Sequence, residues 1–245
     1  MPEAEPSSLN ANLLFIVGCG RSGTTLLFNL TQPTVSPDAV SVKLDEPREF
    51  YLSFWSPSFD IWSSRSKERE GRLVPESGEQ SAPSFDRMLQ ALHDHKKEGE
   101  TNASQTLNYL EKMPEHVLRV PQLLDLYKGE GRSIKFIYVE RDWLPVALSI
   151  HRLTAEGARQ SRWFGFQAAK WNAMKAYAAE CVEQSTDAAD RAFYESVHSA
   201  ITIDQSTTAF YKGVLEWLLA KKAYSKAVSN APMIKVKYSE VLKDV

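Results

Sequence analysis

Leu13-Leu14-Phe15-Ile16-Val17-Gly18-Cys19-Gly20-Arg21-Ser22-Gly23-Thr24-Thr25-Leu26-Leu27 decides the fold. Its first five residues are apolar and rich in strand formers, and Gly18 stops them. From Gly23 to Thr31, Leu26, Leu27 and Leu30 recur at helical spacing. The segment therefore reads as strand, glycine-rich turn, helix. At such a junction backbone N–H groups converge and the helix dipole is positive, so an anion can dock there.

Three readings of the turn compete. Gly18, Gly20 and Gly23 fit the G-x-G-x-x-G dinucleotide fingerprint, and Asp45 lies about 20 residues further on, as that reading asks. Gly18 and Gly23 also fit the G-x-x-x-x-G-K-[ST] frame, but Thr24 stands where the phosphate-binding lysine belongs, which disfavours a nucleotide hydrolase or kinase. The third reading uses Arg21. A cation beside the hydroxyls of Ser22, Thr24 and Thr25 at a helix start makes a clamp for a doubly charged anion.

Outward from the turn, Ile134–Val139 and Met233–Tyr238 are further strand-like runs, and Ala39–Leu44 and His116–Val120 are weaker strand candidates. Helical patterns cover Ser84–Lys97, Trp143–Thr154, Phe166–Glu183 and Thr208–Lys222. Strands separated by long helices predict an α/β protein in three layers, with a mostly parallel central sheet flanked by helices. Residues 53–83, rich in Ser, Pro, Glu and Arg, read as a long loop or insertion near the ligand face.

The chain has 245 residues, with 29 Lys and Arg against 31 Asp and Glu. That balance argues against a nucleic-acid binder, which carries a basic excess. No run approaches the roughly 20 apolar residues of a membrane span. The first twelve residues are polar without a basic residue, unlike a secretory leader. They read as a flexible start before one domain over 13–245. Two cysteines, Cys19 and Cys181, make no disulfide framework and point to a reducing, cytoplasmic setting.

Arg21-Ser22-Gly23-Thr24-Thr25 after the first strand resembles the 5′-phosphosulfate loop of the sulfotransferases that use 3′-phosphoadenosine-5′-phosphosulfate (PAPS), closest in style to the arginine-type loops of the tyrosylprotein branch. A second element agrees. Phe136–Arg141 ends a strand in arginine, and Ser149 follows eight residues later on the next helix. This resembles the family's 3′-phosphate signature, with Trp143 where the common version has proline. A guanidinium and a hydroxyl two turns along can grip one phosphate. Leu110–His116 resembles the family's lysine–proline segment, and Lys235–Leu242 its late strand and Tyr-Glu-Asp-Leu-like turn.

The resemblance implies a P-loop-like sulfotransferase fold and in-line transfer of a sulfuryl group from PAPS to an acceptor hydroxyl or amine, releasing 3′-phosphoadenosine 5′-phosphate (PAP). It implies that Gly20, Arg21, Ser22, Gly23, Thr24, Thr25, Arg141 and Ser149 bind the cofactor, without a metal. Arg21 is the candidate for neutralising transferred charge. Glu46, after the second predicted strand and beside Arg48, is the candidate base, with His116 and His151 as runners-up. A nicotinamide-dependent oxidoreductase and a non-catalytic nucleotide-binding module are the rival readings. Trp163, Phe164, Phe166 and Trp171 fit an acceptor pocket, a stack on adenine or, as the more ordinary role, core packing. His93 and His95 point to different sides of a helix, which disfavours a metal site. Small-molecule, carbohydrate and protein acceptors all stay open, as does oligomeric state, and no membrane anchor is expected. The family continues past the late strand with a further helix and a basic, glycine-containing segment. Either the function survives without it, or these residues are a shortened version of a longer protein.

Overall fold

The computed structural model describes residues 9–32, 39–47, 82–97, 106–154, 162–202 and 209–243. Strands β1 (Asn10–Gly18), β2 (Val40–Asp45), β3 (Thr106–Lys112), β4 (Arg132–Glu140) and β5 (Met233–Lys237) form one sheet in the order β2-β3-β1-β4-β5. Every neighbouring pair is parallel. The helices are α1 (Thr24–Leu30), α2 (Ala82–Lys97), α3 (Val120–Tyr127), α4 (Trp143–Thr154), α5 (Arg162–Gln184), α6 (Ala188–Thr202), α7 (Ala209–Ala227) and α8 (Tyr238–Val241), with a 3-10 turn at Pro114–Arg119. The α/β architecture expected from the alternating runs is present, as a sheet flanked by helices.

β1 is the central strand, so both its faces must be covered, and its side chains alternate between two cores. Leu13, Phe15 and Val17 join Tyr109, Phe136 and Tyr138 against α3, α4 and α7. Phe15 stacks on Phe136 at 5.4 Å and tilts against Tyr127 at 5.5 Å. Ile16, Leu110 and Val139 face the other way, onto Phe28 of α1. The register sets Ile16 beside Lys112 and Gly18 beside Val139. The carboxyl ends of β1, β3 and β4 therefore finish side by side, where open α/β sheets bind ligands.

Two expectations need correction. His116–Val120 is not a strand: the chain there forms the 3-10 turn and enters α3, because Pro114 and Pro121 have no N–H to give a ladder. The strand sits earlier, at Thr106–Lys112, where buried Asn108 and Glu111 interrupt the apolar run that marks strands elsewhere. Asn108 is satisfied by Asn12 Nδ2 at 2.9 Å. Helix α6 carried no separate expectation, and α7 continues five residues past Lys222, to Ala227. The long segment 53–83 lies outside the described residues except for Ala82 and Pro83, which open α2.

The strand order also disposes of the dinucleotide reading. In that fold the acidic residue ends the strand next to β1. Here β3 separates β1 from β2, so Asp45 is two strands away, and it pairs with Lys112 at 2.7 Å.

Candidate active site

The glycine turn closes tightly over the end of β1. Ser22 N–H donates to Cys19 O at 3.1 Å. A Cβ on Gly18 would lie 2.9 Å from both Ser22 Oγ and Val139 O, so only glycine fits. Arg21 (φ 67°) and Gly23 (φ 102°) are both left-handed, the kind of backbone reversal that gathers N–H groups into an anion-binding concavity. Gly23 caps α1 with no side-chain hydrogen bond, so the N–H groups of the first turn have no side-chain cap. Thr24 is buried and Thr25 exposed, while the Ser22 hydroxyl is tucked beneath the turn.

The second element meets this loop directly. Arg141 Nη1 donates to Arg21 O at 3.0 Å, and Arg21 Nε donates to Ser149 Oγ at 3.1 Å. Residues 120 positions apart thus share one edge of the sheet. Tyr238, at the start of α8, ties them together: its ring lies against Gly23, and the Arg141 guanidinium stacks on it at 4.3 Å. Trp217 Nε1 donates to Arg141 O at 2.8 Å and fixes the backbone. Neighbouring Glu140 is engaged by Lys221 and Lys235. Burial would raise its carboxyl pKa, but the two ammonium groups outweigh that and hold it below the ordinary value. Glu140 is therefore an anion committed to lysines rather than to Arg141.

On the other side of β1, Lys112 ends β3 with its side chain 2% exposed. Its Nζ holds Glu46 Oε1 at 2.5 Å and Asp45 Oδ1 at 2.7 Å, and donates to Thr25 Oγ1 at 3.1 Å. Glu46 itself is left-handed (φ 48°), and its N–H donates to Lys112 O at 2.8 Å. The expected partner of Glu46, Arg48, lies outside the described residues. Lys112 takes that place and links Glu46 to the first turn of α1. Only the lysine–proline likeness of Leu110–His116 pointed toward this residue.

The family model of the sulfotransferase family matches residues 14–199, from β1 into α6. The chain belongs to the sulfotransferase family. The match takes in the glycine turn, Glu46, Lys112, Arg141 and Ser149, and ends before Tyr238. No curated protein matches the chain.

In this sulfotransferase-family chain the runner-up bases separate clearly. His116 is fully buried under Phe15, with Nε2 2.8 Å from Glu111 Oε1 and Nδ1 3.3 Å from Arg119 Nη1. Burial lowers its pKa, so it is a neutral core group without access to a substrate. His151 lies exposed on α4. A cavity opens behind the turn, walled by Gly20, Glu115, Leu118, Met174, Glu216 and Leu219. Glu216 Oε1 accepts the Gly20 N–H at 3.0 Å, so this loop amide faces the cavity. Among the described residues no group of His, Cys, Asp and Glu gathers at metal-ligand spacing, and no helix is long and apolar enough to cross a membrane.

Proposed function

We propose that this chain transfers a sulfuryl group from PAPS to an acceptor hydroxyl or amine. The observation that carries the reading is the junction of Arg21, Ser149 and Arg141, which brings a helix-start anion cradle and a strand-end guanidinium to one edge. Two anionic groups of one nucleotide can then be held at once. The backbone of Gly23, Thr24 and Thr25 and the Thr25 hydroxyl take the 5′-phosphosulfate. Arg141 and Ser149 take the 3′-phosphate, with Arg21 between the two.

Glu46 is the proton acceptor. Its carboxylate points to Lys112, and Lys112 to Thr25, so base and cradle are positioned by one buried ammonium. That ammonium also adds positive charge beside the transferring group, alongside Arg21.

Calorimetric titration with PAP tests the reading. Saturable binding by the native protein, lost by tenfold or more in Arg141→Ala, is expected. Absence of PAP binding by the native protein overturns it.

A further inference from the structure

Glu216 and Trp217 of α7 lie beyond residue 199, where the family match ends, yet each holds one part of the proposed nucleotide site. Glu216 is 6% exposed, and its Oε1 accepts the Gly20 N–H at 3.0 Å from behind the glycine turn. Trp217 Nε1 donates to Arg141 O at 2.8 Å. Consecutive residues of one helix therefore tie down the loop and the strand-end arginine.

Between those ties stands Arg21. Cys19–Ser22 is a four-residue turn, closed by the Ser22 N–H on Cys19 O at 3.1 Å. Arg21 occupies its third position with φ 67°, where a positive φ favours glycine. A residue with a Cβ keeps that backbone only where its surroundings hold it. Both peptide groups that bound the turn are held from outside. The Cys19–Gly20 peptide gives its N–H to Glu216, and the Arg21–Ser22 peptide takes Arg141 Nη1 on its oxygen at 3.0 Å. The side chain carried on this backbone is the guanidinium whose Nε reaches Ser149 Oγ at 3.1 Å. Without the Glu216 acceptor the Gly20 N–H would face a cavity whose wall includes Leu118, Met174 and Leu219, where an unmet donor is costly. The peptide would then gain by turning, and Arg21 would relax out of its left-handed backbone and away from Ser149.

We propose that Glu216 is a positioning residue of the transfer site: it pins the Cys19–Gly20 peptide so that Arg21 keeps its left-handed backbone and presents its guanidinium to Ser149. The bearing of this anchor on transfer rests on the reading above, but the anchoring of Arg21 does not. The part that matters is the acceptor oxygen, so glutamine at this position should serve and a side chain of similar length without an acceptor should not.

The first arm of the test uses the nucleotide-free protein and NMR. In the native protein the Gly20 amide should exchange with solvent at least about a hundredfold more slowly than an unstructured amide. The Arg21 Nε–H should give a resolved resonance, assigned by its loss in Arg21→Met. Glu216→Met should speed Gly20 exchange at least about tenfold and abolish the Arg21 resonance, and Glu216→Gln should keep both. The second arm measures PAP affinity by calorimetry. Glu216→Met should weaken it at least about tenfold in the native background and less than about twofold in Arg21→Met, because the effect runs through Arg21. An unprotected Gly20 amide in the native protein, a Glu216→Gln protein that behaves like Glu216→Met, or a folded Glu216→Met protein that keeps the Arg21 resonance overturns the anchor. Equal losses of PAP affinity in the two backgrounds overturn its action through Arg21. Because the first arm contains no nucleotide, failure of the native protein to bind PAP and failure of the anchor are separate results.

Discussion

Gly23→Ala is the substitution whose consequence can be worked most fully from the structure. Gly23 has φ 102°, and a Cβ there would lie 2.2 Å and 2.4 Å from the Cδ2 and Cε2 atoms of Tyr238. Left-handed backbone costs an alanine about 1–2 kcal/mol. Carbon atoms pack at about 3.5–4.0 Å, so the Tyr238 ring must retreat by more than about 1 Å. Overpacking of that size costs about 1–3 kcal/mol, and it draws the ring away from Arg141. The sum is about 2–5 kcal/mol. At roughly 2–4 °C per kcal/mol for a chain of this size, Tm should fall by about 4–20 °C. Thermal melts of Gly23→Ala, Tyr238→Ala and the double variant separate the two terms. In the Tyr238→Ala background Gly23→Ala should cost only its backbone share, about 1–2 kcal/mol. An equal cost in both backgrounds, or a single-variant cost under about 0.5 kcal/mol, refutes the packing of Tyr238 on the loop.

Further outcomes follow from the same contacts. Glu46→Gln should keep PAP affinity within about threefold and lower kcat by about 10²–10⁴, measured in single-turnover transfer; near-normal turnover removes Glu46 as the base. Lys112→Met leaves behind Glu46 and Asp45, whose side chains are 29% and 50% exposed and can hydrate. Its melting should therefore shift by less than about 2 kcal/mol, below the penalty for a stranded buried charge, while turnover falls as in Glu46→Gln. His116 is held neutral by burial, against the pull of Glu111, so its folded pKa lies below 6.5. Its contribution to stability is present above pH 6.5 and is lost as pH falls from there toward the folded value. Urea unfolding at pH 8.0 and 5.5 should show that loss in the native protein and a smaller one in His116→Gln.

How much of this was legible depended on whether a signal was local. The strand–turn–helix at Leu13–Leu27 was legible because glycine conformations, apolar runs and helical spacing are all short-range. Arg141 and Ser149 were legible because eight residues of strand end and helix fix their separation. β3 was missed because buried polar groups interrupt its apolar run: Asn108 is satisfied across the sheet by Asn12, and Glu111 within the strand by Tyr109. The Asn12 partner of Asn108 lies 96 residues away on β1, so β3 taken alone reads as partly exposed. Lys112 was missed for a related reason. A lysine is nearly always solvated, and only the parallel register, which sets Ile16 beside Lys112, places its ammonium under α1. The site therefore divides by physics. The groups proposed to hold a nucleotide's two anionic ends use local turns and are readable from the chain. The group that joins the proposed base to the glycine turn is Lys112, set by the β1–β3 register beside Ile16 and bonded to Thr25, 87 residues away in sequence, and it becomes visible only in the fold.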